Sequence, residues 1–202
     1  MDFSGLLMIA ISAVFVNNFI LTKFLGLCPF IGVSRSTKPA LSMGLAVTFV
    51  MTMASIITWA IYRYILLPYN LEYLRTVAFI LVIASFVQFV EIILRKFAPA
   101  IYKAFGIYLA LITTNCAVFG VAVLNIDQFF FEGKAVQTSF LKASLQGFSA
   151  GIGFLIAIFL MSGIRERLDF SDVPAPLRGI AITFIVASLM SMAFLGFSGF
   201  KL

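Results

Sequence analysis

Six apolar runs, each long enough to enter a bilayer and each followed by only a short loop, decide what this chain can fold into. A bilayer hydrocarbon core is crossed by roughly 20 consecutive apolar residues of helix. On that criterion the runs lie at about Phe3–Phe24, Ala40–Leu67, Leu74–Leu94, Tyr102–Leu124, Phe140–Ile164 and Leu177–Phe197. With 62% hydrophobic and 11% charged residues, and a mean hydropathy of +1.13, the 202-residue chain cannot close as a soluble globule, whose charged share is about a quarter. It reads as an all-α integral membrane protein, a single membrane domain over residues 1–202 embedded in lipid. No basic stretch precedes the first run and no small-residue cleavage site follows it, so that run is expected to stay as a membrane segment.

The net charge of +6 would point to nucleic acid in a soluble domain. Here the Lys and Arg residues sit between apolar runs, where they act as topology signals, and no nucleic-acid partner is implied. Lys23, Arg35, Lys38, Arg95, Lys96, Lys103, Arg165, Arg167 and Arg178 fall on one side, and Arg63, Arg75, Lys134, Lys142 and Lys201 on the other. The excess predicts that the first set is cytoplasmic and that both termini lie outside.

Internal similarity adds a second expectation. Cys28, Gly32 and Val33 match Cys116, Gly120 and Val121 at an offset of 88 residues. Gly44 matches Gly147 at an offset of 103, as do Leu74-Arg75-x-x-Ala78 and Leu177-Arg178-x-x-Ala181, with the polar stretch from Asn125 to Ser139 absorbing the difference. Two halves of three helices each, about 1–97 and about 98–202, must enter the membrane in opposite senses. The expected architecture is therefore six transmembrane helices arranged as two inverted three-helix repeats.

The two matched cysteines are the only ones in the chain, and histidine is absent. Phe3 to Val33 is too long for one span and too short for two, and Gly26 and Pro29 both disfavour a continuous helix. The first helix is expected to break at Cys28 and the fourth, at Thr113-Thr114-Asn115 and Gly120, to break beside Cys116. Helices 1 and 4 are thus predicted to be discontinuous, the pattern that marks a functional centre in inverted-repeat membrane proteins.

Three readings of the cysteines remain open at this point. They are small apolar packing residues, partners in a disulfide, which burial away from an oxidising face disfavours, or metal ligands. Iron–sulfur clusters and structural zinc generally take four ligands, so two thiolates without histidine require two more from a second polypeptide. A [2Fe–2S] cluster at such an interface would serve as an electron relay across the apolar barrier, a use that zinc does not have.

Other polar residues carry weaker signals. Glu91 is either an ion or proton site or half of an ordinary i,i+4 pair with Arg95. Lys23 either offsets the negative charge of a thiolate-bound cluster or snorkels. Asn17, Asn18, Thr113, Thr114 and Asn115 either satisfy interrupted backbone or orient sulfur through hydrogen bonds.

The stretches Asn17-Asn18-Phe19-Ile20-Leu21-Thr22-Lys23-Phe24-Leu25-Gly26-Leu27-Cys28-Pro29-Phe30 and Leu111-Ile112-Thr113-Thr114-Asn115-Cys116-Ala117-Val118 closely resemble the A subunits of Rnf complexes. These complexes are also called ion-translocating oxidoreductases or Rsx systems. The wider family includes the E subunits of Rnf complexes and the D and E subunits of the Na+-translocating NADH:quinone reductase. The likeness continues through Ile164-Arg165-Glu166-Arg167-Leu168, Asp172-Val173-Pro174-Ala175-Pro176 and Gly196-Phe197-Ser198-Gly199, and so covers essentially the whole chain.

The resemblance implies a bacterial inner-membrane redox pump that moves electrons between ferredoxin and NAD, coupled to Na+ or H+ transport. It implies that Cys28 and Cys116 hold half of an intramembrane [2Fe–2S] cluster completed by the homologous Rnf E subunit, with the B, C, D and G subunits as further partners. No Ser-Gly-Ala-Thr flavin-attachment motif is present, and the chain alone is not expected to catalyse a reaction. The competing functions are a stand-alone secondary transporter, which would bind its substrate in isolation and tolerate Cys28→Ser, and a structural membrane subunit with inert cysteines.

Overall fold

The computed structural model describes residues 3–97, 111–112, 114–129, 136–172, 174 and 177–199. These residues form helices and turns only. Helix α1 (Phe3–Ile11) widens into a π-helical turn at Ser12–Val16, and a non-helical stretch over residues 17–26 leads into the short helix α2 (Leu27–Val33). Helix α3 (Thr37–Ile61) likewise widens at Tyr62–Leu66, and a 3-10 turn at Glu72–Leu74 opens α4 (Arg75–Phe97). Then come α5 (Cys116–Phe129), α6 (Val136–Asp169) and α7 (Ile180–Leu195), the last tightening into a 3-10 turn at Gly196–Gly199.

The most extensive contact in the fold is α3 against α6. Without a hydrophobic drive between helices in lipid, such pairs are held by close packing, which small residues permit. Glycines supply the approach here. A Cβ on Gly151 would lie 2.6 Å from Thr48 Cα, and one on Gly44 would lie 3.1 Å from Leu155 Cα. Gly147 is pressed against Ser55 in the same way. Around this seam Met43, Val47, Met51, Phe154, Ile158 and Met161 are fully buried. Thr48 and Thr58 return their hydroxyls to the carbonyls of Gly44 and Ala54, at 2.7 Å and 2.6 Å, so the seam leaves those donors satisfied. Helix α4 is different: Val77, Ile80, Leu81, Phe89 and Ile92 are all exposed, as suits a helix that faces lipid or another chain.

The expectation of six transmembrane helices in two inverted three-helix repeats is corrected; the first run does break, over residues 17–26, with Cys28 inside the helix that follows and not at the break. Among the described residues three helices are long and apolar enough to cross a membrane: Thr37–Leu66, Glu72–Ile93 and Ser139–Asp169, of 30, 22 and 31 residues. Ser4–Val16, Cys116–Gln128 and Ile180–Leu195 are shorter apolar helices. The physical reason is that an apolar run is not a helical length. The first run divides at residues 17–26, so that Ser4–Val16 rises only about 20 Å at 1.5 Å per residue, short of the roughly 30 Å core. The repeat fails on the same measure. Helix α4 provides a 22-residue span while α7, its expected counterpart, has 16 residues. Much of the expected fourth segment, together with Thr113, Lys103, Lys134 and Lys201, lies outside the described residues.

Because the glycine seam sets the α3–α6 distance, Gly151→Ala is expected to cost about 1–3 kcal/mol through overpacking. Gly163→Ala, where an added Cβ meets nothing within 4 Å, should be neutral or stabilising by up to about 1 kcal/mol. Thermal unfolding of the two variants in detergent, followed by loss of the monodisperse peak, checks the contrast.

Candidate functional site

The chain leaves helix after Val16 because asparagine side chains compete with the backbone ladder. Asn17 Nδ2 donates to Ser12 Oγ at 3.1 Å. Asn18 is fully occupied: its Nδ2 donates to the carbonyls of Val14 (3.1 Å) and Gly153 (3.0 Å), and its Oδ1 accepts from the N–H groups of Ile20 and Leu21 at 3.1 Å and 3.3 Å. Ser191 Oγ donates to the Leu21 carbonyl at 2.6 Å. Irregular backbone buried in a membrane protein needs such partners, and Asn18, Ile20 and Leu21 are at most 1% exposed. The stretch ends at Gly26, whose φ of 80° is left-handed and favours glycine. Helix α2 starts there, with Pro29 in its first turn, where the missing N–H costs nothing. Pro29, Phe30 and Val33 are buried, while the Cys28 thiol is exposed.

A second turn carries the other cysteine. Asn115 is the N-cap of α5: its Oδ1 accepts from Ala117 N–H at 3.0 Å, and its carbonyl accepts from the N–H groups of Val118 (3.1 Å) and Phe119 (3.4 Å). Cys116 is the first residue of that helix, and its thiol is exposed. The Asn115 Nδ2, by contrast, is buried and without a hydrogen-bond partner among the described residues.

The two turns meet. A Cβ on Gly26 would lie 2.7 Å from Asn115 Oδ1, 3.1 Å from Ala117 Cβ and 3.3 Å from Phe154 Cε2, and Leu25 is pressed onto Gly120 of α5. Cys28 is two residues from Gly26, and Cys116 is between Asn115 and Ala117. Helix α6 braces the far side. Arg165 Nη1 donates to the Ile31 carbonyl at 2.7 Å, near the end of α2, and to Ser34 Oγ at 2.9 Å, while Glu166 Oε1 accepts from Thr37 N–H at 2.8 Å at the start of α3.

The profile of one membrane-protein family, described as "Rnf-Nqr subunit, membrane protein", matches residues 6–201. The chain belongs to the Rnf-Nqr family. It is 55% identical over 196 residues to the A subunit of the ion-translocating oxidoreductase complex of Sodalis glossinidius, covering 97% of each chain. It is 56% identical over 193 residues to proteins of the same name in Escherichia coli strain K12 and Shigella boydii serotype 18, covering 96% of each chain.

In this Rnf-Nqr chain, Thr114, Asn115 and Cys116 line one cavity, and Cys28 lies two residues along the chain from Gly26, which packs on Asn115. Lys23 sits earlier in the first turn, three residues before Gly26. Its ammonium lies 5.3 Å from the centre of the Phe19 ring and lines a cavity of about 220 Å³ with Ser12, Asn17, Gln128 and Gln146. Cys116 lines a different cavity of about 320 Å³, with Thr114, Asn115 and Phe119 facing Ile80, Ile83 and Ala84 of α4. Glu91 is engaged in a contact on α4 and joins neither cavity lining. Among the described residues no three His, Cys, Asp or Glu side chains are gathered to hold a metal.

Sequence reasoning missed the Arg165 and Glu166 braces: it took Arg165 as a charge marking a membrane face and Glu166 only as part of a stretch that carries the family resemblance. It also missed Gly26 and Phe154 as the contact between turns. The available signal was Arg165 placed beside Glu166 at the polar end of an apolar run.

Gly26→Ala is expected to destabilise the protein by about 1–3 kcal/mol, from left-handed backbone strain and the contact with Asn115. Arg165→Gln should cost about 1.5–3 kcal/mol, since it removes charge-assisted hydrogen bonds, and should open the turn at residues 34–37 to protease, with Arg165→Lys intermediate. Detergent melts and timed proteolysis check both.

Proposed function

We propose that this chain is the electron-transfer subunit of an Rnf-type membrane complex, in which Cys28 and Cys116 provide half the ligands of a [2Fe–2S] cluster and a homologous subunit provides the rest. The observation that carries the reading is the packing of Gly26 against Asn115 and Ala117, which joins the two cysteine turns while leaving both thiols exposed. The donor set fits. Thiolate is the ligand iron–sulfur clusters prefer, two thiols form half of a four-ligand set, and exposure leaves each one open to a second chain. The cluster would supply one-electron redox chemistry inside the roughly 30 Å apolar core. The contribution of this chain is positional. Asn18, Ser191, Arg165 and Glu166 fix the irregular backbone on either side of Cys28, and Asn115 fixes the start of the helix that begins with Cys116.

The relatives are named for ion-translocating oxidoreductase complexes, which supports placing this chain in electron flow between ferredoxin and NAD, coupled to Na+ or H+ translocation. The Rnf E subunit is the proposed cluster partner, with the B, C, D and G subunits completing the complex. The location is the bacterial inner membrane, with the end of the fold that carries Arg35, Lys38 and Arg165 on the cytoplasmic side. Arg165 and Glu166 bind the turn that holds Arg35 and leads to Lys38, so these cations gather at one end of the fold, as a cytoplasmic face requires.

Co-expression with the homologous membrane subunit tests the reading. The assembled pair is expected to contain iron and acid-labile sulfide and to give an electron paramagnetic resonance signal when reduced. Cys28→Ser and Cys116→Ser should each abolish the signal while the pair still assembles. A silent spectrum from an assembled wild-type pair would overturn the proposal, as would a signal that survives either substitution.

A further inference from the structure

We propose that the side-chain amide of Asn115 donates a hydrogen bond to the sulfur of the metal group bound at Cys116, and so raises its reduction potential. This deepens the cluster reading and rests on it.

The amide has two ends with different fates. Its Oδ1 accepts from Ala117 N–H at 3.0 Å, and because a backbone N–H can be met only by the oxygen, the orientation of the amide is fixed. Gly26 closes on that same oxygen so tightly that a Cβ would reach 2.7 Å. The nitrogen therefore points elsewhere with two protons, and neither has a partner among the described residues. The residue is 4% exposed, and a membrane interior offers no water in compensation. Buried donors in folded proteins are nearly always paired.

The other turn provides the comparison. At Asn18 both amide protons and the oxygen are taken up by the chain itself. At Asn115 one donor is held back, at a residue that lines the same cavity of about 320 Å³ as the adjacent Cys116. Capping α5 alone would be done equally well by Asp or Ser. What asparagine adds is an N–H group, and for an unpaired donor on the residue that precedes Cys116 in the chain the chemistry that fits is anionic sulfur. Hydrogen bonds to the sulfurs are among the features that set the potential of an iron–sulfur centre. They draw off charge and favour the reduced form.

Asn115→Ser and Asn115→Asp both keep a capping oxygen and remove the amide protons, and the second also adds negative charge. In the co-expressed pair, redox titration followed by electron paramagnetic resonance should show a midpoint potential that falls from wild type to Asn115→Ser and falls further in Asn115→Asp. A cluster that assembles in Asn115→Ser with the wild-type potential would overturn the inference and leave the cluster reading standing. The wild-type pair supplies a second measurement, which holds even if neither variant assembles. Asparagine labelled with 15N at the side-chain amide should give a 15N hyperfine coupling in the reduced signal, and its absence would overturn the inference. A wild-type pair without any cluster would overturn both.

Discussion

Two interrupted stretches of backbone meet where Gly26 packs on Asn115, and the arrangement of the rest of the fold around the cysteines follows from that contact. The approach needs a residue without a Cβ and with φ of 80° on one side, and on the other a side chain short enough to cap a helix from its own first turn. Each turn alone would be an exposed irregularity. Together they cover one another, and Phe154 closes the contact from a third direction.

Helix α6 is the element that makes this contact rigid. Along one helix, Gly147 and Gly151 let α3 approach, the Gly153 carbonyl receives Asn18, Phe154 touches Gly26, and Arg165 and Glu166 hold the end of α2 and the start of α3. Close packing fixes the first part of this sequence and hydrogen bonding the second. The order is physically sensible. Small residues bring the backbones of α3 and α6 together along the seam, and polar side chains appear where the helical ladder has been broken and carbonyls would otherwise be left in an apolar medium.

Placing the thiols outside this frame has a consequence for function. Cys28 and Cys116 are exposed at the starts of helices whose adjoining backbone is held by hydrogen bonds, and among the described residues no three His, Cys, Asp or Glu side chains are gathered to hold a metal. Reactive or ligating thiols are expected in such accessible positions, whereas packing cysteines are expected within the core. The broad apolar surface of α4, which walls the Cys116 cavity with Ile80, Ile83 and Ala84, extends the same outward-facing character.

Composition and pattern alone determined that this chain is helical and belongs in a membrane, because runs of about 20 apolar residues have no other stable place. They also singled out Cys28, Cys116, Asn115 and Thr114, because glycine, proline and asparagine signal breaks through local geometry. Sequence could not determine how many runs become full spans. Asn18 turns its side chain onto its own backbone and onto Gly153, 135 residues away, so the first run divides, and six apolar segments give three long membrane helices among the described residues. Nor could it join Arg165 to Ile31, because that outcome depends on which helices lie side by side. Local chemistry is written along the chain; which distant carbonyl a buried donor finds is decided only when the helices pack.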